Sequence, residues 1–190
     1  MIICSINNEI EEWDKILAKN NQPKLIESAF FNIYIQLEIF IREQFIYFAL
    51  GNSVGSYIPD RKLEFNSENQ LFEIIRGDNR FVDYFSAIQR CGDHIFVKNP
   101  FNLIFNSTNY HDDLLKMKHI RDFIAHKSSE SRGRYINKVL NTYGIQNFIL
   151  PGDFLSQKLK NKKYSYYSNY CNKTSEICSI LLNDKILLNI

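Results

Sequence analysis

Apolar residues recur at helical spacing along most of this chain. In "NEIEEWDKILAKN", Ile10, Trp13, Ile16 and Leu17 fall on one face, with acids early and lysines late as the helix macrodipole favours. "NQP" ends that segment. The next predicted helix is the longest, Lys24 to Leu50. It is apolar nearly all round, which suits the central helix of a bundle, and Gly51 stands where a helix C-terminus turns. Glu38 sits among Ile, Leu and Phe, and a buried carboxylate needs a partner. "GNSVGSYIPDRKLEF" reads as a loop. "SENQ" from Ser67 has the form of a capping box and opens a short helix through Ile75. Arg76-Gly77-Asp78 reads as a turn, and "RFVDYFSAIQRC" as another amphipathic helix.

"GDHIFVKNPFNLIFNSTNYH" is predicted to be irregular, given Pro100 and its many asparagines. Helix resumes at "DDLLKMKHIRDFIAHKSS", with Asp112 and Asp113 at its start and Leu114, Met117, Ile120 and Ile124 as a face. "SESRGRYINKVLNTYG" predicts a further short helix or a continuation, ending at Gly144. "PGDFLSQKLKNKKYSYY" reads as a basic, aromatic loop region. "SNYCNKTSEICSILLND" closes the chain as a helix through Tyr170, Thr174, Ile177 and Leu181. There is no repeat and no interdomain linker. The expectation is one all-α domain over residues 1–190, a bundle of four to five main helices with short extra ones. Its long second helix would pack against the helix bearing Arg121 and His126.

Composition narrows this picture. With 190 residues, 45% of them hydrophobic, the chain can bury a core without staples and is not a disordered sequence. A formal net charge of +2 does not mark a general nucleic-acid binder, so any such surface must be local. Cys4, Cys91, Cys171 and Cys178 form no CxxC pair and have no ligand-spaced histidines, which argues against zinc. Cys171 and Cys178, seven apart, read as buried thiols on one helix face. "MIICSINNEIEEW" has no basic leader region, and no apolar run reaches membrane-spanning length. The expectation is a cytoplasmic protein in a reducing compartment, with no membrane partner.

One stretch carries candidate chemistry: "HIRDFIAHKSSESRGR", His119 to Arg134. On a helix, Asp122 and His126 share a face, whereas Arg121 and His126 lie about 140° and about 7.5 Å apart. Both heads can reach one phosphate at a groove, or more easily across a two-fold axis where two such helices face each other. Histidine titrates near neutral pH and can move a proton to or from a ribose hydroxyl or a leaving oxygen. Arginine offers a planar fork to phosphoryl oxygens. Asp122 can hydrogen-bond the imidazole and raise its pKa. Without clustered carboxylates for a metal, such a pair suits RNA, which carries its own nucleophile in the 2′-hydroxyl. The spacing alone also fits an ordinary surface pair or a satisfied core histidine.

Lys127, Ser128, Arg132 and Arg134 extend the polar, basic character past His126, as contacts for flanking phosphates or as a solvated helix face. Glu38 is a candidate partner for Arg121 or His126, either supporting the site or as a plain buried ion pair. Lys158, Lys160, Lys162 and Lys163 with Tyr164, Tyr166, Tyr167 and Tyr170 combine charge with rings, which suits single-stranded RNA, although such tyrosines more often pack a core. His94, His111 and His119 belong to no motif.

Arg121-Asp122-Phe123-Ile124-Ala125-His126 resembles the R-x4-6-H signature of HEPN domains (higher eukaryotes and prokaryotes nucleotide-binding). Upstream, "NPFNLIFNSTNYHDDLLKMKHIRDFIAH" resembles the segment leading into that motif in the RiboL-PSP-HEPN branch, as does the long helix with its mid-run acid, Glu38, and closing Gly51. The likeness covers roughly residues 24–145 and leaves residues 151–190 outside it. It implies an all-α domain whose catalytic members are metal-independent endoribonucleases, needing no cofactor. Such members are often toxins or antiviral effectors, commonly homodimers with a composite site, sometimes paired with an antitoxin or another defence-system partner. Arg121 and His126 match the family's catalytic pair and Asp122 its polar follower. Some toxin members carry H-x-Tyr, a tyrosine modified by an antitoxin. Here Lys127 and Ser128 follow His126, which departs from that pattern. The resulting expectation is cleavage of RNA to 2′,3′-cyclic phosphate and 5′-hydroxyl ends. The competing expectations are a non-catalytic HEPN-like module that binds RNA, a nucleotide or a partner protein, and a purely structural helical subunit.

Overall fold

The computed structural model describes residues 2–76 and 83–190, with side chains from Ile6 onward. The fold is all-α. Five helices have twelve or more residues: α1 (Ile2–Lys19), α2 (Pro23–Ala49), α4 (Tyr84–Ile95), α6 (Thr108–His126) and α9 (Tyr166–Leu182). Shorter ones are α3 (Glu68–Arg76), α5 (Asn102–Phe105), α7 (Ser129–Tyr135), α8 (Pro151–Ser156) and α10 (Asp184–Leu187). A π-helical turn, Ile136–Leu140, and a 3₁₀ turn, Asn141–Tyr143, continue α7. Among the described residues there are isolated β-bridges but no strands, and no helix is long and apolar enough to cross a membrane.

The chain forms two compact units. The first holds residues 1–36 and 109–175, the second residues 37–108 and 176–190. α2 and α9 run through both.

In the first unit, buried residues of α1, the first part of α2, α6 and α9 make the core, among them Ile6, Phe30, Met117 and Tyr170. Aromatic contacts knit it together. Phe123 stacks on Tyr135 at 5.3 Å, Phe154 on Tyr166 at 4.4 Å, and Phe30 meets Tyr170 edge-on at 5.7 Å. Ser175 donates to Asn7 Oδ1 at 2.9 Å.

In the second unit, Phe45 and Phe48 of α2 pack on Phe101 at 5.4 and 6.0 Å. α2 stops in a Schellman turn: Asn52 N–H reaches Tyr47 O, Gly51 N–H reaches Phe48 O, and Gly51 takes φ 87°. Arg61 donates to the carbonyl of Ala49 at 3.0 Å. Ser67 caps α3, with Gln70 N–H to its hydroxyl, while the Gln70 side chain returns to Asn66 N–H at 3.0 Å.

Several elements differ from expectation for identifiable reasons. α1 begins at Ile2, before the acidic run, and Ile16 is 44% exposed rather than part of the core. α4 continues through Gly92 to Ile95; that glycine allows close approach, since a Cβ there would lie 2.3 Å from Asn99 Nδ2. α6 starts at Thr108, before its aspartates, and its fourth buried position is Phe123 instead of Ile124. Leu114, Met117, Ile120 and Phe123 step by three, so the buried stripe winds round the helix. Residues 151–156, read as loop, form α8, with Pro151 preorganising its first turn and Phe154 and Leu155 buried. Of the turn at Arg76-Gly77-Asp78, Gly77 and Asp78 lie outside the described residues. Cys171 and Cys178 are buried free thiols, each pushed up to about 12 by burial, so neither is a reactive thiolate.

Candidate active site

α6 positions Arg121, Asp122 and His126, all in the first unit. The helix ends at His126 because Lys127 turns left-handed, φ 49°, while its N–H still reaches Phe123 O at 3.1 Å. Ser128 then caps α7: its hydroxyl accepts Ser131 N–H at 3.1 Å, and Glu130 lies in the first turn. The chain therefore makes a sharp corner directly after the histidine.

Arg121 Nη1 lies 2.7 Å from Asp122 Oδ1, and the two side chains are only 18% and 15% exposed. The guanidinium also sits 5.2 Å from the centre of the Tyr34 ring on α2, a cation–π arrangement that fixes its direction. His126 is exposed and makes no hydrogen bond or ion pair among the described residues. Among the described residues no hydrogen bond joins Asp122 to His126; Asp122 Oδ1 faces Arg121 instead.

His119, one turn before Asp122, has no motif to mark it. Its imidazole is half-buried, and its Nδ1 is buried without a hydrogen-bond partner. Burial holds its pKa below the ordinary value; Asp122 opposes that shift, while Lys118, Arg134 and Lys138 add to it. Asp122 thus interacts with both Arg121 and His119. The only signal in the sequence is the i,i+3 spacing from His119 to Asp122.

The four residues after the motif part company. The Ser128 hydroxyl is used by the α7 cap and by Ser131 Oγ at 3.0 Å. Arg134 pairs with Glu130 at 2.9 Å on an exposed helix face, an arrangement worth little in water. Lys127 and Arg132 are brought together at a cavity of about 340 Å³ within the first unit. Lys24, Phe123, Phe148 and Leu150 share its wall, and the Arg132 guanidinium lies 4.1 Å over the Phe148 ring. Lys24, Phe148 and Leu150 escape sequence reading because they come from chain segments far from the motif.

Glu38 lies half-buried on the part of α2 that belongs to the second unit. The basic segment after α8 folds as a tight turn, with a Lys158–Ser165 bridge and Asn161 at φ 62°. Tyr166, Tyr167 and Tyr170 are buried, leaving Tyr164 as the exposed ring. Among the described residues, no three His, Cys, Asp or Glu side chains are grouped to hold a metal ion.

Comparison with protein-family models, curated proteins and solved structures returned no match to this chain.

Proposed function

We propose that the protein is a metal-independent endoribonuclease of HEPN type, acting as a toxin or an antiviral-defence effector. The observation that carries this reading is the placing of His126: an exposed imidazole on the last residue of a helix whose buried part holds Arg121 in a fixed direction. In this mechanism Arg121 binds a non-bridging oxygen of the scissile phosphate and stabilises charge as the 2′-hydroxyl attacks. His126 moves the proton at the reacting oxygen. The attack closes the 2′,3′-cyclic phosphate and releases the 5′-hydroxyl. Asp122 positions the arginine. Arg121 and His126 point away from a common line on one helix, so a homodimer with two α6 helices facing each other joins the arginine of one subunit with the histidine of the other.

A second reading is a non-catalytic module that binds RNA, a nucleotide or a partner protein. It is favoured by one feature, the engagement of Arg121 by Asp122 and the Tyr34 ring, which occupies the arginine rather than presenting it to a scissile phosphate. Incubating the purified protein with mixed RNA in EDTA, beside His126→Ala, separates the two. The enzyme cleaves in chelator and the variant does not. Absence of cleavage by the wild-type protein, or cleavage that requires added magnesium or manganese, refutes the proposed mechanism.

A further inference from the structure

The cavity beside the motif has a composition that neither reading explains. Its wall combines apolar surface with three cations, Lys24, Lys127 and Arg132. The one carboxylate there, Glu27, accepts the N–H of Gly152 at 3.0 Å and so is tied to the backbone. Phe148 and Leu150 are 38% and 52% exposed at this wall, which leaves large apolar surface open to solvent. An apolar surface ringed by positive charge fits a ligand with a flat apolar body and an anionic group. Arg132 sharpens the choice. Its guanidinium already lies on one ring, and its planar, weakly hydrated shape suits stacking on a second. The volume is at the small end of ligand pockets, enough for one base.

Lys127, at φ 49°, occupies a backbone conformation that glycine takes with less strain. That turn closes α6 and brings the Lys127 side chain to the pocket wall. Lys127 also directly follows His126, so the pocket begins one residue beyond the motif.

We infer that this pocket binds one unstacked nucleobase with its phosphate: the base on the face of Arg132 turned away from Phe148, bounded by Phe123 and Leu150, the phosphate near Lys127 and Lys24. As the nucleotide unit next to the scissile bond, this inference rests on the ribonuclease reading. It favours single-stranded RNA, because a paired base must first leave its pair and its stack to enter.

The test is equilibrium binding to the full chain of three probes: a short single-stranded 2′-O-methyl RNA, the same sequence annealed to its complement, and adenosine monophosphate. The 2′-O-methyl strand cannot be cut, so binding is read apart from chemistry. The single strand is expected to bind and the duplex to bind at least about tenfold more weakly. Arg132→Ala is expected to weaken single-strand binding about tenfold, the loss of one charge-assisted contact. Lys127→Gly is expected to weaken it as well, with a melting temperature equal to or above that of the wild type. Leu150→Ser provides a third, exposed variant that leaves every charge in place, and it too is expected to weaken binding. Competition by the mononucleotide assigns the site to a free nucleotide as well as to a strand; without competition it is a strand subsite. Equal affinity of wild type, Arg132→Ala and Leu150→Ser, or equal affinity for strand and duplex, overturns the inference. Cleavage by the wild type with those variants binding normally leaves the ribonuclease reading intact. Pocket binding without any cleavage removes that reading and keeps the pocket.

Discussion

Asp122 is drawn two ways, toward Arg121 at 2.7 Å and toward the half-buried imidazole of His119. Asp122→Asn removes the charge that a phosphate must displace from Arg121. Under the proposed mechanism this variant binds RNA more tightly yet cleaves it more slowly at saturation, because the guanidinium loses its positioning partner; single-turnover kinetics beside affinity measurements check both. His126→Ala should slow the chemical step by about 10²–10⁴-fold with binding retained. Arg121→Lys should fail as well, since an ammonium cannot reproduce the fork. Both variants should melt close to wild type; if His126→Ala instead unfolds the protein, the histidine is structural. His119 gives a separate prediction. Its folded-state pKa is depressed, so the unfolded chain takes up its proton first as pH falls. Its stability contribution is therefore complete above the ordinary imidazole range and is lost progressively as pH drops through that range. Melting temperature against pH should show the decline, and His119→Gln should flatten it.

Two glycines inside helices of the first unit, Gly152 and Gly133, differ in what an added methyl would strike. At Gly152, the second residue of α8, a Cβ would lie 2.2 Å from the carbonyl oxygen of Pro23, which is backbone and cannot swing aside. Gly152→Ala should destabilise by about 3 kcal/mol, the upper range for overpacking. At Gly133, inside α7, a Cβ meets nothing within 4 Å. Gly133→Ala should therefore stabilise by about 0.5–1 kcal/mol, the ordinary gain in a helix interior. Chemical denaturation of the two variants should show opposite signs. The long elements were legible in the sequence because α2 and α9 carry enough turns for a pattern to emerge, and because Gly51 and the Ser67–Gln70 pair announce ends through fixed backbone chemistry. α8 was not legible, because six residues hold too few apolar positions to show a period. The Phe123-for-Ile124 exchange was hidden for another reason: the buried side at the end of α6 is set by the stacking of Phe123 on Tyr135, a contact no local pattern records. The candidate site divides in the same manner. Arg121, Asp122 and His126 could be picked out along one helix. The cavity could not, since its wall joins the start of α2 to residues just before α8.

For the whole molecule, the shared-site mechanism makes assembly measurable. Sedimentation at micromolar concentration should give a homodimer, and mixing Arg121→Lys with His126→Ala subunits should restore part of the activity that each lacks alone, because one intact composite site can form. A strict monomer, or mixtures as inactive as the separate variants, would exclude a site built from two subunits. The threading of the chain carries a last consequence. The second unit takes residues 37–108 from the middle of the sequence and residues 176–190 from its end. A premature stop codon after Ser175 would spare every residue of the first unit while stripping Ile177, Cys178, Leu181 and Leu187 from the core of the second. The reading frame therefore offers no single cut that yields two whole halves: a gene fragment encoding only the opening three helices, or only the closing ones, inherits pieces of both units and all of neither. Such truncated products should bind a hydrophobic dye such as ANS more strongly than the 190-residue chain.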